Sequence, residues 1–204
     1  YGIIRDSYVQ GGQLNSHSTT ATSHAGFVGT QEDGGLIERC WTSMDITTES
    51  DYAGGFAGQN YGGTFRDCFA LGNVSARNCS GGFVGRTAGE KAVYENCYAA
   101  GVVKCTGYDG HGFIGGNLSW SSFQYDQTIG ISNCYYNQAS EEAAINYNAI
   151  GMTLEAMKSN TFCNLLGSRW ERDNALNDGL PYLTGVKVPT KAETDEILVT
   201  IELI

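Results

Sequence analysis

The sequence predicts an all-β fold: a parallel β-helix of about five turns, each with three short strands, closed by a small helical C-terminal cap. Three observations predict it. A Gly-Phe-small-Gly signature occurs at Gly26-Phe27-Val28-Gly29, Gly55-Phe56-Ala57-Gly58, Gly82-Phe83-Val84-Gly85 and Gly112-Phe113-Ile114-Gly115, at intervals of 29, 27 and 30 residues. A second signature alternates with it: an apolar residue, two polar residues, Cys or Ser, then an aromatic residue. The third observation is that no helical periodicity interrupts this region, so each unit of about 28 residues is made of short β-like pieces punctuated by glycine.

A unit of that size cannot bury its apolar face alone, so neighbouring units must stack. Stacked strands lie about 4.8 Å apart, and equivalent residues then form columns. Phe27, Phe56, Phe83 and Phe113 are expected to form an interior aromatic ladder. The flanking glycines suit tight bends and close backbone approach.

The second signature reads Ile4-Arg5-Asp6-Ser7-Tyr8, Ile37-Glu38-Arg39-Cys40-Trp41, Phe65-Arg66-Asp67-Cys68-Phe69, Tyr94-Glu95-Asn96-Cys97-Tyr98 and Ile131-Ser132-Asn133-Cys134-Tyr135. Cys40, Cys68, Cys97 and Cys134 are expected to form a second structural ladder of free, buried thiols. In-register parallel side chains do not point at each other as a disulfide requires; inter-turn disulfides are the rival reading. The apolar residue and the Cys are three positions apart and would face opposite sides of an unbroken strand. A bend between them, where Asp and Asn recur, brings both inside. The residues Arg5, Glu38, Arg66 and Glu95 alternate in sign, which specifies register. A third piece carries Ile46, Val74 and Val103, with Gly72 and Gly101 at the preceding turn.

The aromatic column Tyr8, Trp41, Phe69, Tyr98 and Tyr135 has two readings. Facing outward, it is a stripe for sugar rings or a protein partner, with Trp41 and Tyr98 as candidate ligand-binding residues. Stacked beneath another segment, it is structural, and this is the favoured reading. Variable loops are the better binding candidates: 16–24, 108–111 and above all 117–127, with Trp120, Phe123 and Tyr125.

The pairing of Gly81-Gly82-Phe83-Val84-Gly85 with Asn96-Cys97-Tyr98-Ala99-Ala100-Gly101-Val102-Val103 resembles the GLUG-motif repeat of bacterial surface and adhesin-like proteins. The resemblance covers residues 1 to about 137. The first unit departs from it, with Ser7 in place of Cys, and the last is longer, with 37 residues from Cys97 to Cys134. It implies a β-helical, extracellular, secreted or cell-surface module without catalytic residues. Such repeats also occur in non-catalytic parts of IgA-cleaving metallopeptidases, so an accessory domain of such a protease is an alternative.

Residues 138–184 read as the cap of an open β-helix end. Thr153 is a candidate N-cap, Leu154, Met157, Phe162 and Leu165 suit short helical turns, and Trp170 and Tyr182 are expected on the last turn. Residues 185–204 read as a linker around Pro189 and a strand over 197–204, which either begins a further module or pairs locally.

The net charge of −10 disfavours a nucleic-acid partner, and no apolar run is long enough to span a membrane. No HExxH, nucleophile elbow, P-loop or dinucleotide fingerprint is present, so no catalytic residue, metal or cofactor is expected. His17 and His24 share a loop without further ligands. A carbohydrate-active β-helix enzyme would need converging carboxylates, whereas these alternate with arginines. The expectation is a monomeric, non-catalytic module that binds a host protein or a glycan, or acts as a spacer.

Overall fold

The computed structural model describes residues 2–20, 22–88, 91–117, 129–140, 148–188 and 200–203. They form a parallel β-solenoid of about four turns with two short helices. The first turn consists of β1 (Ile3–Arg5), β2 (Tyr8–Val9), β3 (Gln13–Ser16), β4 (Thr22–Ala25) and β5 (Val28–Glu32). Each strand founds a parallel sheet that climbs the solenoid, with register partners such as Ile4↔Ile37, Phe65↔Tyr94 and Val74↔Val103.

A turn thus carries five strands, two more than glycine punctuation predicts. The reason is local. The Gly-Phe signature is itself a corner, lying between the β4 and β5 sheets. The second signature is likewise divided by a bend into a β1-type and a β2-type strand. The bend residues Asp6, Arg39, Asp67, Asn96 and Asn133 have φ of 51°, 56°, 51°, 52° and 50°. This left-handed conformation suits Asn and Asp. It returns Cys40, Cys68, Cys97 and Cys134 to the interior beside Ile37, Phe65 and Tyr94. At the other corner, a side chain on Gly55 or Gly82 would land on the carbonyl of the glycine stacked in the next turn.

The main core lies between the β1 and β5 sheets. Phe27, Phe56, Phe83 and Phe113 stack at centroid spacings of 4.7, 4.8 and 5.0 Å. Phe65 and Tyr94 stack in parallel and meet this ladder edge-on, at 5.6 Å from Phe65 to Phe83 and 5.9 Å from Tyr94 to Phe113. Tyr94 brings a hydroxyl into this core, and Asn60 (3.0 Å) and Thr87 (2.6 Å) satisfy it. The four column thiols are free and bond to backbone carbonyls, Cys68 to that of Arg66 at 3.2 Å and Cys97 to that of Glu95 at 3.3 Å. Burial pushes the thiols of Cys68, Cys97 and Cys134 well up from their ordinary range.

On the surface Glu38 pairs with Arg5 and lies 3.8 Å from Arg66, which pairs with Glu95 at 2.5 Å. The charge alternation read in the sequence is therefore an in-register ladder. Parallel to it runs a ladder of bend residues: Arg39 pairs with Asp6, Asn96 donates to Asp67 at 2.9 Å, and Asn133 donates to Asn96 at 3.1 Å.

The C-terminal part lies along the flank of the solenoid instead of over its end. Ile150–Met152 first adds to the β2 sheet beside Tyr135–Asn137. Helix α1 (Leu154–Met157), capped by Thr153, and helix α2 (Asn160–Leu166), capped by Ser159, follow. A ribbon of Trp170–Glu171 against Tyr182–Leu183 then leads back towards the first turns. Trp170 sits 5.7 Å from Phe69 and 5.6 Å from Tyr98, so it packs on the third and fourth turns, not on the last. Thr200–Leu203 pairs in parallel with β3 of the first turn, a partner 187 residues away in sequence that neither sequence reading of this strand named.

Candidate functional site

Two outer faces compete for the role of a binding surface. On the β2 sheet, Tyr8, Trp41, Phe69 and Tyr98 stack at 4.9, 5.7 and 5.1 Å. Their rings do face away from the main core, but the C-terminal strap covers them. Trp41 and Tyr98 are both 0% exposed. Met157, Phe162, Leu166, Trp170, Leu180 and Leu183 close over the column. The polar atoms are also satisfied from the strap: Trp41 Nε1 donates to the Lys187 carbonyl at 2.8 Å, and the Tyr98 hydroxyl donates to that of Pro181 at 2.6 Å. Trp41 and Tyr98 therefore have no free ring face, and their assignment as ligand-binding residues is corrected: they anchor the strap. Trp120, Phe123 and Tyr125 lie outside the described residues.

The β3 sheet presents the second face. Leu14, Ile46, Val74 and Val103 point inward and form their own apolar cluster. Alternation then turns Asn15, Thr47, Ser75 and Lys104 outward, in register from the first turn to the fourth. A groove of about 590 Å³ crosses this face between Asn15, Thr47 and Ser75 on one side and His17, Glu49 and Arg77 on the other. It adjoins a second of about 460 Å³ that shares Thr47 and Ser75 and reaches Asp45 and Lys104.

The groove's charges are largely held by neighbours. Arg77 pairs with Asp51 at 2.9 Å, His17 bonds Glu49 at 3.2 Å, and Asp45 accepts from the Asn73 N–H at 2.7 Å. Asn73 in turn accepts from the Val102 N–H at 2.9 Å. These bonds fix the rim, while Asn15, Thr47 and Ser75 lie between them. The periodic pattern contained this row, since the inward residues Ile46, Val74 and Val103 were legible and the outward positions are their neighbours. Sequence reasoning missed it because Ser and Thr on a sheet surface carry no distinctive signal.

The histidines do not converge. His17 is on the groove rim, whereas His24 and His111 are buried in the β4 sheet at its first and fourth turns. Burial lowers the pKa of His24. Among the described residues no group of three or more His, Cys, Asp or Glu is placed to hold a metal ion. No helix of the described residues is long and apolar enough to cross a membrane.

Comparison with known proteins adds one match. Residues 50–75 match the model of the GLUG motif. That stretch runs from Asp51 in the β4 sheet through Phe56, Phe65, Cys68 and Phe69 to Val74 in the β3 sheet, so it contains one member of every column described above. No curated protein and no solved structure matches the chain.

Proposed function

We propose that this chain is a non-catalytic, extracellular repeat module of a bacterial surface protein, whose rigid solenoid forms a binding face for a host protein or glycan. The observation that carries the reading is the contrast between the two outer faces. The aromatic face is sealed by the chain's own C-terminal strap, whereas the polar β3 face keeps a groove that crosses successive turns. Stacking gives such a face fixed spacing at low cost in mobility, a property that suits recognition by repeats.

The reading of the chain as non-catalytic is supported by how its carboxylates are engaged. Glu38, Glu95, Asp6 and Asp51 each pair with an arginine, and Asp67 accepts from Asn96 and faces Arg169 at 3.4 Å. A glycosidase needs one carboxyl group to give and another to receive, both directed at one bond. The test is to apply the chain to immobilised extracellular-matrix proteins and to a glycan array, and in parallel to incubate it with polygalacturonate and neutral polysaccharides. Saturable binding without release of reducing ends is expected. Release of reducing ends would overturn the non-catalytic assignment.

A further inference from the structure

We propose that the strand Thr200–Leu203 is a mechanical latch: a pull on the two ends of this chain is borne in shear by its pairing with β3, and the later turns stay off the path of the load. This goes beyond the binding-module reading and does not depend on it.

The first observation is where the outermost strands lie. β1 is the first described strand and belongs to the first turn; Thr200–Leu203 is the last, and it adds to β3 of that same turn. It sits at one edge of the β3 sheet, on the side of β3 away from the second turn. The route from the first strand to the last therefore runs through β2 to β3 and crosses one ladder, without entering the third, fourth or fifth turn.

The second observation is the direction of that ladder. The pairing is parallel and in register, from Gln13 with Thr200 to Ser16 with Leu203. A pull from the N-terminal side reaches β3 at Gln13, and a pull from the C-terminal side reaches its partner at Leu203. These are opposite ends of the ladder, so its hydrogen bonds are loaded together instead of opening one by one. β3 is held on its other side by Asp45–Thr48 over the same four positions, which fixes it in the sheet while the latch is loaded. β1 and β2 are held likewise, in parallel against Leu36–Glu38 and Trp41–Thr42.

The third observation is what lies behind the latch. The strap is anchored by bonds from Trp41 to the Lys187 carbonyl at 2.8 Å, from Arg39 to that of Thr184 at 2.8 Å and from Tyr98 to that of Pro181 at 2.6 Å. Once the latch opens, the load passes to these anchors, and only then does it reach the later turns. Resistance to force is set by the barrier to breaking the loaded contacts, so position in this series matters more than overall stability.

The experiment is single-molecule force spectroscopy on the full chain in two pulling geometries. In one, handles are joined to the two ends. In the other, the second handle is joined to p-azidophenylalanine in place of Tyr108, which is 61% exposed and lies in the fourth turn, so the latch is off the path. The variant carries Ile201→Pro and Glu202→Pro. Successive N–H groups of a strand point to opposite sides, so one of the two removed faces β3. End to end, the first rupture force is expected to fall at least twofold in the variant; between the N-terminal end and position 108 it is expected to stay unchanged. An unchanged end-to-end force overturns the proposal. An equal fall in both geometries also overturns it, because that marks general destabilisation and not a loaded latch.

Discussion

Trp41 and Lys187 are joined by a 2.8 Å hydrogen bond from the indole N–H to the backbone carbonyl, across 146 residues of chain. With Tyr98 and Pro181 linked in the same way at 2.6 Å, the strap is fastened to the aromatic column at two heights. A repeat array is normally stabilised by neighbouring turns alone. Here the strap connects turns that do not touch one another.

That fastening predicts a graded loss of stability. Trp170→Ala is expected to cost about 3–5 kcal/mol, because it empties a buried site against Phe69 and Tyr98. Tyr98→Phe keeps the ring but leaves the Pro181 carbonyl with the Asn177 amide at 3.0 Å as its remaining side-chain donor, and is expected to cost about 1–2 kcal/mol. Urea denaturation of the two variants checks the order.

The bend column makes a sharper conformational prediction. Asn96 has φ of 52° and links Asp67 to Asn133. Asn96→Val places a β-branched residue in the left-handed region and removes both bonds, for an expected loss of about 2 kcal/mol or more. Asn96→Gly removes the bonds but not the conformation and is expected to be the milder of the two by thermal denaturation.

The surface charge ladder is expected to matter less. Glu38 serves both Arg5 and Arg66, and its side chain is 11% exposed, so Glu38→Gln is expected to cost about 1 kcal/mol. Arg5→Gln, at a largely exposed end of the ladder, is expected to cost under about 0.5 kcal/mol. Both differences should shrink in 1 M salt, where charges are screened over about 3 Å.

The thiols predict a dependence on alkali. Burial holds Cys68, Cys97 and Cys134 protonated far above their usual range, raises Cys79 to about 12, and pushes up the phenols of Tyr94 and Tyr98. The unfolded chain releases thiol protons from about pH 8.5 and phenol protons from about pH 10, while the native state retains them. The native state then holds more protons, so stability falls as pH rises above about 8.5. Burial of His24 acts with the opposite sign: its contribution is present above about pH 6.5 and is lost as pH falls below that. Tm measured from pH 5 to pH 10.5 should therefore peak between about 6.5 and 8.5. In the native protein a thiol reagent should modify Cys105, the one cysteine that is not buried, and reach the others only on unfolding.

How much was legible follows from which contacts are periodic. The sequence by itself determined the solenoid, its stacking register, the Phe27–Phe113 and Cys40–Cys134 ladders, the charge alternation and the bend at the Asp and Asn positions. Each of these is a contact between equivalent residues of adjacent turns, so one repeated chemical choice writes it several times. The split of each turn into five strands was not legible, because a two-residue strand is too short for alternation to show.

Only the tertiary structure decided the fate of Trp41 and Tyr98 and the place of Thr200–Leu203. Their partners, Lys187, Pro181 and β3, are far away in sequence and belong to no repeat. An aromatic residue that faces outward from a strand has the same local pattern whether water or a strap covers it. Which of the two occurs depends on where a single non-repeating segment finds the largest apolar surface to bury, and among the described residues that segment covers the aromatic flank and not the polar β3 face.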